Sequence, residues 1–208
     1  MQTTNQNTDQ QSTNSDAISG KLILLLGPSG SGKGTIINHI KKHYKQFIFP
    51  TSCTTRDPRP GEKPGDVYYY ITKDEFTQRI ENQEFLEWAI VHNDNYYGTL
   101  KSELLQPLTE GKTVLREVDF QGLLSIQKLI PKTNLHTVFI KTDSWNDLQS
   151  RIQRRAKIDP EELKARENSY YEELKHADEC DYQITNRDNQ LDTTLDQIDN
   201  VLKEITGV

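Results

Sequence analysis

The amino-acid sequence predicts an α/β fold with a mainly parallel core sheet flanked by helices. The apolar run Leu22–Leu26, bounded by Gly27 and Pro28, is typical of a strand buried on both faces, as strands of parallel sheets are. Downstream, short apolar runs alternate with segments of helical periodicity, and this alternation favours parallel strands joined by crossover helices. A chain of 208 residues is long enough to bury a core of this kind in one domain.

The individual elements follow from periodicity and from turn residues. After the first strand, further strands are predicted at residues 47–49, 67–71, 114–118, 137–140 and 182–185. The first helix is predicted over 35–44, and its apolar stripe consists of Ile36, Ile37, Ile40 and Tyr44. Further helices are predicted near 73–82, 99–109, 120–130, 144–156, 160–179 and 190–205. The helix at 160 has the clearest start, because Asp159 suits the N-cap and Pro160 suits the first helical position.

Two segments differ in composition from this pattern. Fourteen of residues 1–20 are Gln, Asn, Ser or Thr, so the segment buries too little apolar area to fold and is predicted to be a disordered tail. Residues 51–98 are rich in proline, glycine and tyrosine, and they are predicted to form an insertion with a small sheet of its own. The core is then predicted to consist of residues 21–50 and 99–208.

Composition and charge exclude several classes of protein. The chain has 25 Lys and Arg against 31 Asp and Glu, a net charge of −6, so general nucleic-acid binding, which needs a basic surface, is not expected. No apolar run approaches the ~18 residues of a membrane-spanning helix, so no membrane association is expected. Cys53 and Cys180 lie far apart, without the spacing of a zinc site or a disulfide framework. The first residues lack the basic and apolar regions of a signal peptide, and we expect a cytoplasmic location.

The segment after the first strand has the pattern of a phosphate-binding loop. It reads Gly27-Pro28-Ser29-Gly30-Ser31-Gly32-Lys33-Gly34-Thr35 and opens a predicted helix. Its glycines let backbone N–H groups surround an anion, the helix N-terminus favours negative charge, and Lys33 reaches the terminal phosphates. The usual motif has Ser or Thr after the lysine to bind Mg²⁺, whereas here Gly34 stands there and the hydroxyl comes at Thr35. We therefore expect Mg²⁺ to be held through waters and nucleotide phosphates.

A second candidate phosphate site lies in the insertion. A turn at Pro60 and Gly61 follows three polar residues, Ser52, Arg56 and Arg59. Their two guanidinium groups and one hydroxyl can bind a phosphate monoester through hydrogen bonds.

Charged residues also recur at spacings that place them on one face of an element. Glu117 and Asp119 are two apart at the end of the strand predicted over 114–118, so both carboxylates are expected to face one side at its carboxyl end, where ligands bind in open α/β sheets. Arg151 and Arg155 are four apart on a predicted helix and therefore neighbours on its surface. Arg166 shares an apolar stripe and is expected to point toward the fold; the stripe consists of Leu163, Arg166, Tyr170 and Leu174.

Taken together, these motifs resemble the guanylate kinase family. The matching segments are GPSGSGKGT, SCTTRDPRPGE, GDVYYY, EFLEW, NYYGT, EVDFQG, the arginine run at 151–155 and residues 184–186, which together span about residues 21–205. The resemblance implies the P-loop nucleoside monophosphate kinase fold over 21–208, with the insertion binding GMP and a helical lid at about 151–170. It also implies transfer of the γ-phosphoryl group of ATP, with Mg²⁺, to GMP, which gives ADP and GDP.

The resemblance further implies roles for particular residues. The GMP phosphate would be held by Ser52, Arg56, Arg59, Tyr68 and Tyr97. Guanine would be read by Glu87 and Thr99, with Glu117 and Asp119 nearby. The catalytic charges would be those of Lys33, Arg59, Arg155 and Arg166. ATP would contact the phosphate loop, with Arg151 near its phosphates and Asn186 and Arg187 beside adenine.

Two other functions remain open at this point. One is a related P-loop kinase acting on another phosphorylated ribose or nucleotide, which the guanine-reading Glu87 and Thr99 argue against. The other is a non-catalytic guanylate-kinase-like module that binds phosphopeptides, which the intact phosphate loop and lid arginines argue against.

Arg116 does not fit the pattern, because its strand is expected to be central and the family favours an apolar residue there. We expect Arg116 to be paired, or to lie at a sheet edge, or its strand to be less buried.

Overall fold

The structure is a computed structural model that describes residues 18–65, 67–91, 94–155 and 157–207. Its strands are β1 Lys21–Leu26, β2 Ser52–Thr54, β3 Tyr68–Tyr70, β4 Phe85–Val91, β5 Asn95–Leu100, β6 Thr113–Glu117, β7 Leu135–Lys141 and β8 Tyr182–Thr185. Its helices are α1 Lys33–His43, α2 Lys73–Glu81, α3 Lys101–Thr109, α4 Phe120–Ile126, α5 Trp145–Arg155, α6 Pro160–Leu174 and α7 Leu191–Thr206. None of the helices in the described part of the chain is long and apolar enough to cross a membrane.

The core sheet is parallel and has the strand order β6-β1-β7-β8. Strand β1 lies inside it, and Leu22–Leu26 are at most 2% exposed. Alternate residues of β1 face opposite sides, because side chains on a strand repeat every second residue. Leu22 packs with α3 and α4 on one face, and Ile23 packs with α1 and α7 on the other. The predicted α/β fold with a mainly parallel sheet is therefore confirmed.

The second sheet has the order β3-β2-β5-β4 and mixes one parallel pair with two antiparallel pairs. It has a small core of its own, in which the rings of Phe76 and Phe85 stack with centroids 4.2 Å apart. Helix α2 contributes Phe76, and it begins with a capping box in which Thr72 and Glu75 bond each other's backbone N–H groups. The sheet thus has a hydrophobic cluster separate from those that cover the core sheet.

Several element boundaries differ from the predicted ones. Residues 47–49 form no strand and make a single bridge from Ile48 to Val114. Helix α1 begins at Lys33, two residues early, because the phosphate loop leads directly into it. Helices α4 and α6 end at 126 and 174, before the predicted 130 and 179. The prediction was too long because the apolar pattern continues through the turns that follow these helices.

The fold also begins before the predicted end of the tail. Ile18 packs against the core, and the N–H of Gly20 donates to the carbonyl of Leu108 at 2.8 Å. The prediction of disorder is therefore wrong for residues 18–20, because one apolar side chain and a backbone bond tie them to α3. For residues 1–17 the prediction lies outside the described residues.

Gly98 on β5 lies against the stacked rings of the smaller sheet. A Cβ atom there would lie 2.8 Å from Cδ1 of Phe85 and 2.9 Å from Cζ of Phe76. We expect Gly98→Ala to lower the free energy of unfolding by about 1–3 kcal/mol, because the aromatic pair must shift. Urea unfolding measures this, with Gly34→Ala as the control, since a Cβ at Gly34 meets nothing within 4 Å. Equal stability of Gly98→Ala and the wild type would contradict this account of the packing.

Candidate active site

The phosphate loop joins β1 to α1 at the carboxyl edge of the core sheet. Gly32 has φ 106°, and a Cβ there would lie 2.1 Å from Nδ2 of Asn186, so only glycine fits. That amide of Asn186 donates to the carbonyl of Ser31 at 2.8 Å. Asn186, which follows β8, therefore braces the loop from the end of a strand that is two positions away from β1 in the sheet.

Lys33 is the first residue of α1 and is only 7% exposed. Its ammonium donates to the carbonyl oxygens of Gly27 and Pro28, the latter at 3.2 Å, and lies 3.3 Å from Oε1 of Glu117. All three partners lie in or beside the loop. The lysine is thus folded back onto the loop, where phosphate oxygens can replace the carbonyl oxygens as its acceptors.

A cleft of about 530 Å³ opens in front of the loop. Of the described residues that line this cleft, Lys33 is the one with a positively charged side chain. The acidic residues that line it are Glu87, Glu117, Asp119 and Glu173. A polyphosphate entering this cleft would therefore meet more negative than positive side chains, which makes additional cations necessary.

Glu173 is a site residue that sequence reasoning missed. It lies on α6, and burial raises its pKa, with Asp119 adding to the rise and Lys33 opposing it. The sequence did hold a signal for Glu173, which is its spacing from Arg166. A residue seven positions after Arg166 lies on the same face of the helix, so Glu173 could have been predicted to face the site as well.

Asp119 lines the same cleft, but it lies at the start of a helix and not on the predicted strand. Strand β6 ends at Glu117, and Asp119 is the N-cap of α4, where its Oδ1 accepts from the N–H of Gly122 at 2.7 Å. The prediction of two carboxylates on one strand is therefore wrong. Both residues line the cleft nevertheless, because the chain turns into α4 directly after the strand.

A second cleft of about 380 Å³ lies between the smaller sheet and α4. Glu87 and Asp119 line both clefts, so the two adjoin. Five of the residues predicted to lie at the GMP site line this cleft: Ser52, Glu87, Tyr97, Thr99 and Asp119. The hydroxyl oxygens of Ser52 and Thr99 are 2.8 Å apart and hydrogen-bonded.

Arg56, Arg59 and Tyr68 are not among the residues that line either cleft in the described part of the chain. Arg56 donates to Glu62 at 2.9 Å and lies over the ring of Tyr68, 5.7 Å from its centroid. Tyr68 in turn packs edge-on against Tyr97 at 5.5 Å, which places this group at the border of the second cleft.

Glu62 organises this group, and sequence reasoning assigned it no role. It accepts the backbone N–H of Arg59 at 2.8 Å, the hydroxyl of Tyr70 at 2.8 Å and the guanidinium of Arg56. These bonds, the first above all, lower the pKa of Glu62 to about 2. Its carboxylate therefore stays ionised across the physiological range and holds the arginine-bearing turn in shape.

The predicted lid arginines differ in their surroundings. Arg151 faces the loop and donates to the carbonyl oxygens of Ser31 at 3.3 Å and Asn186 at 2.6 Å. Arg166 pairs with Glu162 at 2.8 Å, and its side chain is 41% exposed, so it is more open to water than expected. It still lines a cleft of about 290 Å³ that reaches Ser29 in the loop.

The backbone of Arg155 ends α5, but its side chain lies outside the described residues. Arg187 pairs with Asp143 at 2.9 Å.

Arg116 lies on β6, an outer strand of the core sheet, and its side chain is 10% exposed. Its Nη2 donates to Oε1 of Glu87 and, at 2.6 Å, to Oγ1 of Thr99. The expectation that it is paired or at an edge is thus confirmed on both counts. Through these two bonds, Arg116 joins the core sheet to Glu87 and Thr99, the two residues predicted to read guanine.

Comparison with known proteins decides between the functions left open by the sequence. The family model described as guanylate kinase matches residues 19–205. The chain belongs to the guanylate kinase family. Its relatives include the guanylate kinase of Tropheryma whipplei (strain Twist), 37% identical over 170 residues, which is 82% of this chain and 87% of that protein. The guanylate kinase of Thermotoga maritima is 40% identical over 167 residues, 80% of this chain and 79% of that protein.

The solved structures agree with this assignment. The fold is similar to the crystal structure of guanylate kinase from Anaplasma phagocytophilum, with a TM-score of 0.63 and 27% identity, covering 90% of this chain and 86% of that one. The ATP-dependent phosphorylation of GMP, which is the reaction of guanylate kinases, is therefore the reaction of this chain. None of these relatives supports either alternative function.

In this guanylate kinase, the Glu62 network gives a pH dependence with a definite sign. The folded state lowers the pKa of Glu62 from its ordinary 4.5 to about 2, so the network stabilises the fold fully above about pH 4.5 and loses this effect as the pH falls toward 2. We expect Glu62→Gln to melt below the wild type at pH 7 and the difference to shrink between pH 4.5 and pH 2. Thermal unfolding of both proteins across this range measures it. A difference independent of pH would show that the ionised carboxylate is not the stabilising form.

Proposed function

We propose that the phosphate loop binds the ATP phosphates, that the second cleft binds GMP, and that phosphoryl transfer takes place where the two clefts adjoin. The observation that carries this proposal is that Glu87 and Asp119 line both clefts. Two nucleotides bound there would meet at their phosphates, as an in-line transfer requires.

On the ATP side, the loop residues 27–35 would surround the β- and γ-phosphates with backbone N–H groups. Lys33 would exchange its carbonyl acceptors for phosphate oxygens, because a charge-assisted bond to a phosphate is stronger than one to a neutral carbonyl. Arg151, which already donates to the loop carbonyl of Ser31, would lie near the phosphates. Asn186 and Arg187 would lie beside adenine, as the resemblance implies.

On the GMP side, the phosphate would be held by Ser52, Arg56, Arg59, Tyr68 and Tyr97. Guanine would be read by Glu87 and Thr99, with Glu117 and Asp119 nearby. Closure of the insertion onto the core would bring Arg56 and Arg59 to the phosphate, and it would exclude water from the transferring group.

Catalysis here consists of positioning and charge neutralisation. A phosphate oxygen of GMP is already a competent nucleophile, so little remains for a general base to do. The charges that would surround the transferring phosphoryl group are those of Lys33, Arg59, Arg155 and Arg166. Arg166 would leave Glu162 for the phosphates when the lid closes, since that ion pair is solvent-exposed and weak.

Mg²⁺ fits the residues of the first cleft. Carboxylate and hydroxyl oxygens are the ligands it prefers, and the cleft offers Glu117, Asp119, Glu173 and Thr35. Within the described residues, no three His, Cys, Asp or Glu side chains lie close enough together to hold a metal ion on their own, so the phosphates and waters would complete the coordination. When bound, Mg²⁺ would neutralise phosphate charge that Lys33 alone does not balance.

Base discrimination tests the assignment of the GMP site. Guanine presents N1–H and the 2-amino group as adjacent donors, which suit the two acceptor oxygens of Glu87, and adenine has neither. We expect the wild type to prefer GMP over AMP by at least ~100-fold in kcat/KM, and Glu87→Gln to lose most of this preference. A coupled assay of ADP formation from ATP with each nucleotide measures the ratio.

The control is Glu84→Gln, on the same insertion, where Glu84 pairs with Arg79 away from both clefts. An unchanged GMP to AMP ratio in Glu87→Gln would mean that guanine is read elsewhere, with Glu117 and Asp119 as the next candidates.

A further inference from the structure

We propose that Arg116 is a positioning residue for guanine-nucleotide recognition, which holds Glu87 as an acceptor and sets the direction of the hydroxyl hydrogen bonds of Thr99 and Ser52. The inference rests on the proposed GMP site. It assigns to the GMP site a residue of the core sheet that does not itself line the cleft.

The contacts of Arg116 place it directly behind the cleft. It projects from β6, and its Nη2 contacts both Glu87 on β4 and Thr99 on β5. Glu87 and Thr99 line the second cleft, whereas Arg116 is not among the lining residues described. One nitrogen atom thus holds two residues that we assign to guanine, and any effect of Arg116 on the nucleotide passes through them.

The chemistry of a guanidinium fixes the direction of the hydrogen bonds that follow. Arginine donates and never accepts, so Oγ1 of Thr99 must be the acceptor in its 2.6 Å bond with Arg116. The hydroxyl proton of Thr99 is then free to be donated to Oγ of Ser52, 2.8 Å away. Ser52 in turn keeps its own proton for an acceptor in the cleft that it lines.

This arrangement matches the donors and acceptors of GMP. Ser52 offers a donor to a nucleotide oxygen, while Glu87, with one oxygen held by Arg116, keeps acceptor positions for the N1–H and 2-amino donors of guanine. Without Arg116, the bond between the Ser52 and Thr99 hydroxyls could run in either direction, and the cleft would present a mixture of donors and acceptors. Arg116 therefore selects the pattern that GMP needs.

The packing of Arg116 indicates that it does not serve stability. Its Nε and Nη1 are buried without a hydrogen-bond partner among the described residues, and burial lowers its pKa, with Glu87 offsetting part of the effect. A buried guanidinium with two unbonded nitrogen atoms is unfavourable for folding. Glu87 is 43% exposed and would be hydrated if Arg116 were removed. The role of this side chain therefore lies in the site.

The test compares Arg116→Leu and Arg116→Lys with the wild type in steady-state kinetics and thermal unfolding. We expect Arg116→Leu to melt at the same or a higher temperature, and to raise KM for GMP about tenfold or more with kcat and KM for ATP little changed. Arg116→Lys, which keeps the charge and a donor, should give an intermediate KM. The control is Arg79→Leu, which breaks a partly exposed arginine–glutamate pair on the insertion and should leave kcat and the KM values for GMP and ATP unchanged.

A double variant separates this inference from the assignment of the GMP site. If Arg116 acts through Glu87, adding Arg116→Leu to Glu87→Gln should raise KM for GMP much less than it does in the wild type. Full additivity would overturn the inference, and so would a lower melting temperature or loss of folding in Arg116→Leu with no rise in KM for Arg116→Lys. If Glu87→Gln alone leaves base choice unchanged, the GMP site itself is wrongly assigned.

Discussion

The burial of strand β1 on both faces is the constraint on which the rest of the structure depends. Because its alternate side chains enter two separate cores, β1 is fixed in register between β6 and β7, and the loop that follows it is fixed at the carboxyl edge of the sheet. Every parallel strand of the core ends at that edge. Lys33, Glu117 and Asn186 meet around the loop because Glu117 ends β6, Asn186 directly follows β8 and Lys33 begins the helix that the loop after β1 leads into.

Four arginine residues near the site each form an ion pair with an acidic side chain. Arg56 pairs with Glu62, Arg116 with Glu87, Arg151 with Asp188 and Arg166 with Glu162. In the proposed reaction, Arg166 would exchange its solvent-exposed partner Glu162 for a nucleotide phosphate, whereas the buried Arg116 would keep Glu87 and orient it.

The sequence predicted the parts of the site that are contiguous in the chain. The strand, phosphate loop and helix at residues 21–43 were predictable because motif, apolar run and periodicity coincide there. Contacts between distant segments were not: Arg116 and Glu87 are 29 residues apart, and only the fold brings them together. Asp119 was assigned to a strand because a spacing of two does not reveal that the strand ends at Glu117 and that the next residues cap a helix.

The central claim is that the phosphate loop, through Lys33, carries the phosphoryl transfer. The most direct measurement is the turnover of ATP with GMP by Lys33→Met, together with its melting temperature, and with Lys42→Met on the exposed face of the same helix as control. The account predicts that kcat falls by at least ~100-fold in Lys33→Met while the protein stays folded, and that Lys42→Met turns over normally. Near-wild-type turnover by a folded Lys33→Met protein would contradict it.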